Sequence, residues 1–124
     1  MQYMLSFMEP EEIYQKYENP ETRSPSLGAW MAYIGAMREA GVMVGGHGLL
    51  PPRTGTIVRI RDGARQVADG PYPDTKEQLG GYVVLDVPDL DAALEWAARA
   101  PAAEYGSVEV RPVMPPMPPA GSAR

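Results

Sequence analysis

The sequence predicts an α+β fold in which two helices cover one face of a mainly antiparallel β-sheet. Strand and helix patterns alternate in the order β, α, β, hairpin, β, α, β, and helices are expected near residues 25–40 and 89–100. The runs at residues 2–8 and 79–87 are apolar on both faces, which is typical of central strands. Split β-α-β units in this order form the ferredoxin-like arrangement, here with an inserted hairpin.

The first predicted strand, QYMLSFM at residues 2–8, is interrupted only by Ser6, and side chains alternate between the two faces of a strand. Two helices on one side of the sheet leave the other face of this strand uncovered. A second copy of the chain packed against that face would bury it, so a two-fold homodimer is expected. The positions assigned to the uncovered face are Met4, Met8, Tyr82 and Val84.

The segment before the first predicted helix, residues 11–23, is polar and broken by Pro20, so a helical turn followed by a loop is expected there. Ser24 is suited to cap the helix, Pro25 to its first position and Gly41 to its exit. The apolar stripe of this helix consists of Leu27, Trp30, Met31, Ile34 and Met37.

In the second half of the chain, residues 55–63 alternate between apolar and polar side chains, and Asp62 with Gly63 predicts a hairpin turn. The second helix is capped by Asp89, and a last strand spans residues 105–113. The buried stripe of this helix is assigned to Leu90, Ala93, Leu94 and Ala97.

The composition restricts both the organisation and the partners. The 124 residues form one domain, 1–113, followed by a proline-rich tail, 114–124, that is expected to be extended or disordered. A net charge of −5 without a basic cluster argues against nucleic acid as a partner. No apolar run approaches the roughly 20 residues that span a bilayer, and the N-terminus does not resemble a signal peptide. Together with the absence of cysteine, these features predict a cytoplasmic protein that does not bind membranes.

The stretch DGPYPDTKEQLGG concentrates ionisable side chains, prolines and glycines between two predicted strands. Asp69 is either a turn residue that accepts backbone N–H groups or a carboxylate that faces a ligand. Lys76 and Glu77 are either a solvated pair before an apolar strand or part of a pocket. Gly80 and Gly81 allow a close approach of the backbone, which favours a pocket rim at this loop.

Two residues outside this loop also carry candidate chemistry. His47, in GGHGLLPP, is either a general base that works near neutral pH or a loop residue without a role. Arg59 either binds an anionic group or stands exposed at a sheet edge. One histidine without cysteine does not favour a metal site, and no nucleotide-binding glycine motif is present, so no cofactor is expected.

The run DGPYPDTKEQLGGYVVLDV resembles the signature of the DGPF family of YCII-related proteins, D-G-P-F-A-E-T-K-E-Q-L-G-G-Y, and the resemblance continues to Val113. The chain departs from this signature at Tyr72, Pro73 and Asp74, where an aromatic and an acidic side chain are kept. The resemblance implies a dimeric α/β barrel, in which two ferredoxin-like subunits pack sheet to sheet around a cavity.

The resemblance also bears on function. Some related YCII proteins carry a histidine–aspartate pair, and the place of that histidine is occupied here by Ser26. DGPF proteins are often encoded beside extracytoplasmic-function sigma factors, which makes a sigma factor a candidate partner.

Two functions therefore remain open. The first is an acid–base enzyme of lyase or isomerase type, with His47 and Asp69 as the catalytic pair and a small anionic metabolite as substrate. The second is a non-catalytic ligand-binding or regulatory dimer. The residues assigned to ligand binding are Arg59, Tyr72, Lys76 and Glu77.

Overall fold

A computed structural model of the protein describes residues 1–70 and 75–116. The helices and strands are, in chain order, β1 (Gln2–Pro10), α1 (Glu12–Glu18), α2 (Pro20–Glu39), β2 (Met43–Gly48), β3 (Thr56–Arg61), β4 (Ala64–Asp69), β5 (Glu77–Asp86), α3 (Leu90–Arg99), α4 (Ala102–Tyr105) and β6 (Ser107–Pro112). Tyr72 and most of the predicted tail lie outside the described residues.

Four strands form an antiparallel sheet in the order β2-β5-β1-β6, and β3 pairs with β4 in a separate hairpin. The two strands that are apolar on both faces, β1 and β5, occupy the centre, as their composition predicts. The strand order and the intervening helices confirm the ferredoxin-like α+β fold with an inserted hairpin. The two predicted helices correspond to α2 and α3.

Both of these helices pack on the same face of the sheet. One buried cluster joins strands and helices: Tyr3, Leu5, Phe7, Val83 and Leu85 with Tyr33, Met37, Ala93 and Ala97. The hydroxyl of Tyr33 in α2 donates a hydrogen bond to the backbone carbonyl of Trp96 in α3 (2.9 Å), which ties the helices together. The alternate positions of the central strands point to the opposite face, and there Met4, Met8, Tyr82 and Val84 are half-buried.

The predicted start of the first long helix is wrong. Most of the segment 11–23 is helical, because α1 fills its first part and α2 already begins at Pro20. The side chain of Asn19 caps α2 by accepting a hydrogen bond from a backbone N–H of the first turn (2.9 Å). Pro20 therefore occupies the favoured first helical position, and Pro25 lies inside the helix, where it cannot donate a backbone hydrogen bond.

The buried stripes of both helices differ from the predicted ones. Tyr33 is buried although it was not assigned to the stripe, because its hydroxyl finds a buried partner. In α3 the small side chains Ala93 and Ala97 face the sheet, which lets the helix approach closely. The residues wrongly assigned to the buried stripes are Leu27, Met31, Leu90 and Leu94, all of which are exposed.

None of the helices within the described ranges, 1–70 and 75–116, combines the length and the apolar character needed to cross a bilayer.

Candidate functional site

A cavity of about 600 Å³ lies between α1, α2 and the helix-covered face of β1, β2 and β5. Glycines form much of its floor. Gly48 of β2 pairs with Gly81 of β5, and Gly81 pairs with Phe7 of β1. In the next row Gly46 pairs with Val83. A β-carbon on Gly46 or Gly81 would lie within 3 Å of the backbone of the paired strand, whereas nothing lies within 4 Å of one on Gly48. The three glycines therefore leave bare backbone at the cavity.

Gly80 shapes the inner end of the cavity. The pairing of β1 with β5 shifts register between Phe7 and Met8, which leaves Gly80 as the extra residue of a β-bulge. A β-carbon on Gly80 would lie 2.7 Å from the hydroxyl oxygen of Tyr14 and 3.0 Å from Cδ of Glu9. Tyr14 and Glu9 thus pack against bare backbone, which requires glycine at this position.

The walls of the cavity are aromatic and apolar. The rings of Phe7 and Trp30 meet edge to face, with centroids 4.8 Å apart. Towards the solvent the lining is aliphatic and consists of Leu27, Ile34, Met43, Leu49, Leu50 and Pro51. Such a cavity favours a ligand with a substantial apolar surface.

Glu9, near the end of β1, brings a carboxyl group to the inner end of this apolar cavity. The residue is only 4% exposed, and none of the salt bridges among the described residues involves it. Loss of hydration raises the pKa of Glu9 from its ordinary value of 4.5 to about 7, and a hydrogen bond from Tyr105 offsets part of this rise. The carboxyl is therefore poised to change its protonation state near neutral pH.

Three side chains form a hydrogen-bonded chain that ends at Glu9. The indole N–H of Trp30 donates to the hydroxyl of Tyr17 (2.9 Å), and the hydroxyls of Tyr17 and Tyr105 are 2.8 Å apart. The hydroxyl of Tyr105 donates to Oε1 of Glu9 (3.5 Å), at the long end of hydrogen-bond distances. Either hydroxyl of the Tyr17–Tyr105 pair can donate to the other. When Tyr105 donates to the Glu9 carboxylate, Tyr17 donates to Tyr105.

The hydroxyl of Tyr14 stands apart from this chain. It is fully buried in the cavity wall and has no hydrogen-bond partner among the described residues. Burial, followed by the negative charge of Glu9, raises the pKa of Tyr14 to about 12, so the hydroxyl keeps its proton near neutral pH. A buried hydroxyl without a partner is costly, so a ligand acceptor that reached it on binding would be favoured.

Two arginines line the cavity, and their surroundings differ. Arg53 forms an ion pair with Glu18, which also lines the cavity. Arg38, in the last turn of α2, is exposed and forms none of the salt bridges found among residues 1–70 and 75–116. Its guanidinium therefore remains available to an anionic group at the mouth.

The candidate residues proposed from the sequence lie in different parts of the molecule. Among those candidates that the structure describes, which leaves out Tyr72, only His47 lines the cavity. Asp69 and Arg59 are exposed on the β3–β4 hairpin, and Lys76 is exposed just before β5. Glu77 begins β5 and accepts a hydrogen bond from the hydroxyl of Ser107 (2.6 Å). The structure does not place His47 and Asp69 together in the lining of the cavity.

His47 has a partner of its own. It pairs with Tyr82 in the sheet, and Nδ1 of His47 lies 2.9 Å from the hydroxyl of Tyr82. Because Gly46 and Gly48 occupy the cavity side of β2, strand alternation directs the His47 ring to the opposite face. His47 therefore borders the cavity through its strand, while its ring belongs to the face that carries Met4 and Val84.

Ser26 donates a hydrogen bond from its hydroxyl to the backbone carbonyl of Thr22 (3.0 Å) within α2. Within the described part of the chain, no three histidine, aspartate or glutamate side chains are grouped so that they could hold a metal ion.

Comparison with known proteins identifies the family. The profile of the YCII-related domain matches residues 1–116. The chain belongs to the YCII-related family. An uncharacterized protein of Rhizobium meliloti (strain 1021) is 40% identical to this YCII-related chain over 67 residues, which span 52% of the chain and 54% of that relative.

A solved structure shares the fold. It is 5-chloro-2-hydroxyhydroquinone dehydrochlorinase from Burkholderia phenoliruptrix AC1100, in complex with 2,5-dihydroxybenzoquinone. The likeness covers 92% of this chain and 94% of that chain, with a TM-score of 0.51 and 12% sequence identity. At this identity the likeness concerns the architecture alone.

The residues at the inner end of the cavity are not among those proposed from the sequence. Glu9 follows the predicted first strand, residues 2–8, and Tyr14 and Tyr17 lie in the polar segment 11–23. One signal was available: an acid directly after an apolar strand, followed by tyrosines three residues apart on a helix. Tyr105 offered none, because only the fold brings it to Glu9.

Proposed function

We propose that this YCII-related protein binds a small cyclic metabolite in the cavity and catalyses a proton transfer on it, with Glu9 as the acid–base group. The observation that carries the proposal is the buried Glu9 carboxyl at the inner end of an apolar cavity, beside the unpartnered hydroxyl of Tyr14. A carboxyl whose pKa lies near neutral pH can both accept and return a proton.

The chemistry divides between two side chains. Glu9 removes a proton from a carbon next to a carbonyl group, and the electron pair of the broken C–H bond moves towards the carbonyl oxygen. The hydroxyl of Tyr14 donates a hydrogen bond to that oxygen and stabilises the negative charge as it develops. Return of the proton to another carbon gives an isomerase, and loss of a leaving group from the neighbouring carbon gives a lyase.

The remaining members of the site hold Glu9 in place. The hydrogen bond from Tyr105 orients the carboxyl and stabilises its charged form, while burial favours the neutral form. Tyr17 and Trp30 fix Tyr105 in turn. We count these three as positioning residues, since they act through Glu9.

The neighbouring dehydrochlorinase gives this proposal limited support. It shares the fold, and its structure holds a hydroxylated quinone. A cyclic compound of that size is compatible with a cavity of about 600 Å³. The residues named here, however, come from the cavity of this chain and not from that neighbour.

A second proposal concerns assembly. The face opposite the helices carries Met4, Met8, Tyr82 and Val84, which are half-buried within one chain. We infer that the apolar centre of this face, bordered by Glu109 and Arg111 of β6, pairs with its counterpart in a second copy, because such an apolar patch is rarely left open to water. The cavity lies on the other side of the sheet, so each subunit would keep a site of its own.

Solvent deuterium exchange tests the catalytic proposal. Metabolites retained by the purified protein are identified by mass spectrometry and then incubated with it in D₂O. Wild type should introduce deuterium next to the carbonyl group, whereas Glu9→Gln should bind the ligand without exchange. Asp69→Asn, on the exposed hairpin, serves as the control and should exchange normally. A ligand that binds without Glu9-dependent exchange would indicate a non-catalytic binding protein.

A further inference from the structure

We infer that the ligand of this cavity is a single ring that carries an uncharged oxygen at one end and a carboxylate at the other. The ring oxygen would meet Tyr14 and Glu9, and the carboxylate would meet Arg38. The inference rests on the proposed site and adds to it the chemical class of the ligand.

The inner end of the cavity selects an uncharged oxygen. The hydroxyl of Tyr14 is a buried donor that lacks an acceptor among the described residues. Glu9 lies against the same backbone bulge, and a second negative charge beside its carboxylate would be strongly unfavourable. A carbonyl or hydroxyl oxygen accepts the hydrogen bond without adding charge. A carboxylate or a phosphate would also accept it but would bring a negative charge next to Glu9.

The middle of the cavity selects a ring. Its floor is backbone at Gly46, Gly48 and Gly81, and one wall is formed by the rings of Phe7 and Trp30. Bare backbone on one side and aromatic surfaces on the other give a slot that suits a flat, apolar group.

The outer end selects an anion. Arg53 already has Glu18 as its partner, whereas Arg38 forms none of the salt bridges in the described part of the chain. An arginine pairs with a carboxylate through two parallel hydrogen bonds, which favours this anion at the mouth.

The spacing of the two ends limits the size of the ligand. Trp30, beside the inner cluster, and Arg38 lie on the same helix, and their α-carbons are about 12 Å apart along its axis. Helical side chains lean towards the N-terminus, so the guanidinium reaches back over the cavity. A ligand that contacts both ends must span this distance less the reach of the side chains, and one ring with a short carboxylate arm has such a length.

Four small probes test this assignment by isothermal titration calorimetry at about pH 6, below the pKa of Glu9. 4-Hydroxyphenylacetate carries both groups, 4-hydroxyphenylacetamide lacks the charge, phenylacetate lacks the ring oxygen, and phenylacetamide lacks both. Wild type should bind 4-hydroxyphenylacetate about tenfold more tightly than either singly deficient probe, since each lost contact involves a charged or buried group.

Two variants assign the contacts. Arg38→Gln should weaken binding of the two acids about tenfold and leave the two amides unchanged. Tyr14→Phe should weaken only the two hydroxylated probes. Arg65→Gln, on the exposed hairpin, should change nothing.

Equal wild-type affinity for 4-hydroxyphenylacetate and its amide, or no measurable binding of this acid, would overturn the inference. The catalytic proposal fails separately, if a bound metabolite shows no Glu9-dependent deuterium exchange.

Discussion

The hydroxyl of Tyr105 donates a hydrogen bond to Oε1 of Glu9 across 3.5 Å, although 96 positions separate the two residues in the chain. Glu9 is the penultimate residue of β1, and Tyr105 is the last residue of the short helix α4, which precedes the last strand. These strands are neighbours in the sheet, so the fold itself creates the contact. The carboxyl group is thereby held inside a cavity whose other walls come from α1, α2, β2 and β5.

The stability of the protein should depend on the protonation of Glu9. Its pKa is raised from 4.5 to about 7 by burial, so the folded state binds this proton more tightly than the unfolded state. The stabilisation is complete below about pH 4.5 and is lost as the pH rises through about 7. The melting temperature of wild type should therefore fall relative to that of Glu9→Gln across this range. Glu95→Gln, an exposed control, should show no such pH-dependent difference.

Gly80→Ala should damage the site more than the same change at Gly48, which also lines the cavity. Its β-carbon would lie 2.7 Å from the hydroxyl of Tyr14, and overpacking of this kind costs about 1–3 kcal/mol. Gly48→Ala is the matched control, because nothing lies within 4 Å of its added carbon. Denaturant unfolding should show a clear loss of stability for the first variant and a small change for the second. Adding Tyr14→Phe to Gly80→Ala should restore part of the lost stability. Equal losses of stability for Gly80→Ala and Gly48→Ala would show that Tyr14 does not pack closely against Gly80.

Replacing Pro25 should stabilise the protein. This proline lies inside α2, where it lacks the N–H of a regular helical hydrogen bond and crowds the preceding turn. Pro25→Ala should raise the free energy of unfolding by about 1–3 kcal/mol. Pro20→Ala, at the first helical position, should bring no gain, because proline is favoured there. A fall in stability for Pro25→Ala would show that the proline is accommodated without cost.

The proposed dimer predicts the effect of a charge on the open sheet face. Val84→Glu should give monomers or aggregates in analytical ultracentrifugation, because a buried carboxylate without a partner is expensive. Val58→Glu, on the exposed hairpin, adds the same charge and should leave the assembly unchanged. A wild type that sediments as a folded monomer at micromolar concentration would contradict the face-to-face dimer.

Much of the fold was predictable because periodicity and strand composition report directly on burial. β1 and β5 are predicted to be central strands, since side chains on both of their faces are apolar, and they occupy the centre of the sheet. The start of α2 was not predictable in the same way. Pro20 and Pro25 offer two similar starting points, and the choice between them depends on the cap that Asn19 provides.

The site was predictable only in part. Most of the ionisable residues proposed from the sequence lie outside the cavity, whereas the glycines proposed from it line the cavity. Gly80 and Gly81 were expected to allow a close approach of the backbone, and both border the cavity. Glu9 gave no signal of its own, since one acid at the end of a strand is usually solvated. Its importance follows from burial and from Tyr105, and both depend on tertiary structure.

The most direct test of the proposed acid–base role of Glu9 is the titration of its carboxyl group. Carbon-13 NMR of protein labelled at the glutamate side-chain carboxyl carbons resolves this group, and its signal is assigned by its absence from Glu9→Gln. The burial of Glu9 predicts a midpoint near pH 7 for the free protein, because the carboxyl loses hydration and forms none of the salt bridges among the described residues. A midpoint near 4.5 would mean that Glu9 is solvated, and Glu9 could then not serve as the acid–base group of the cavity.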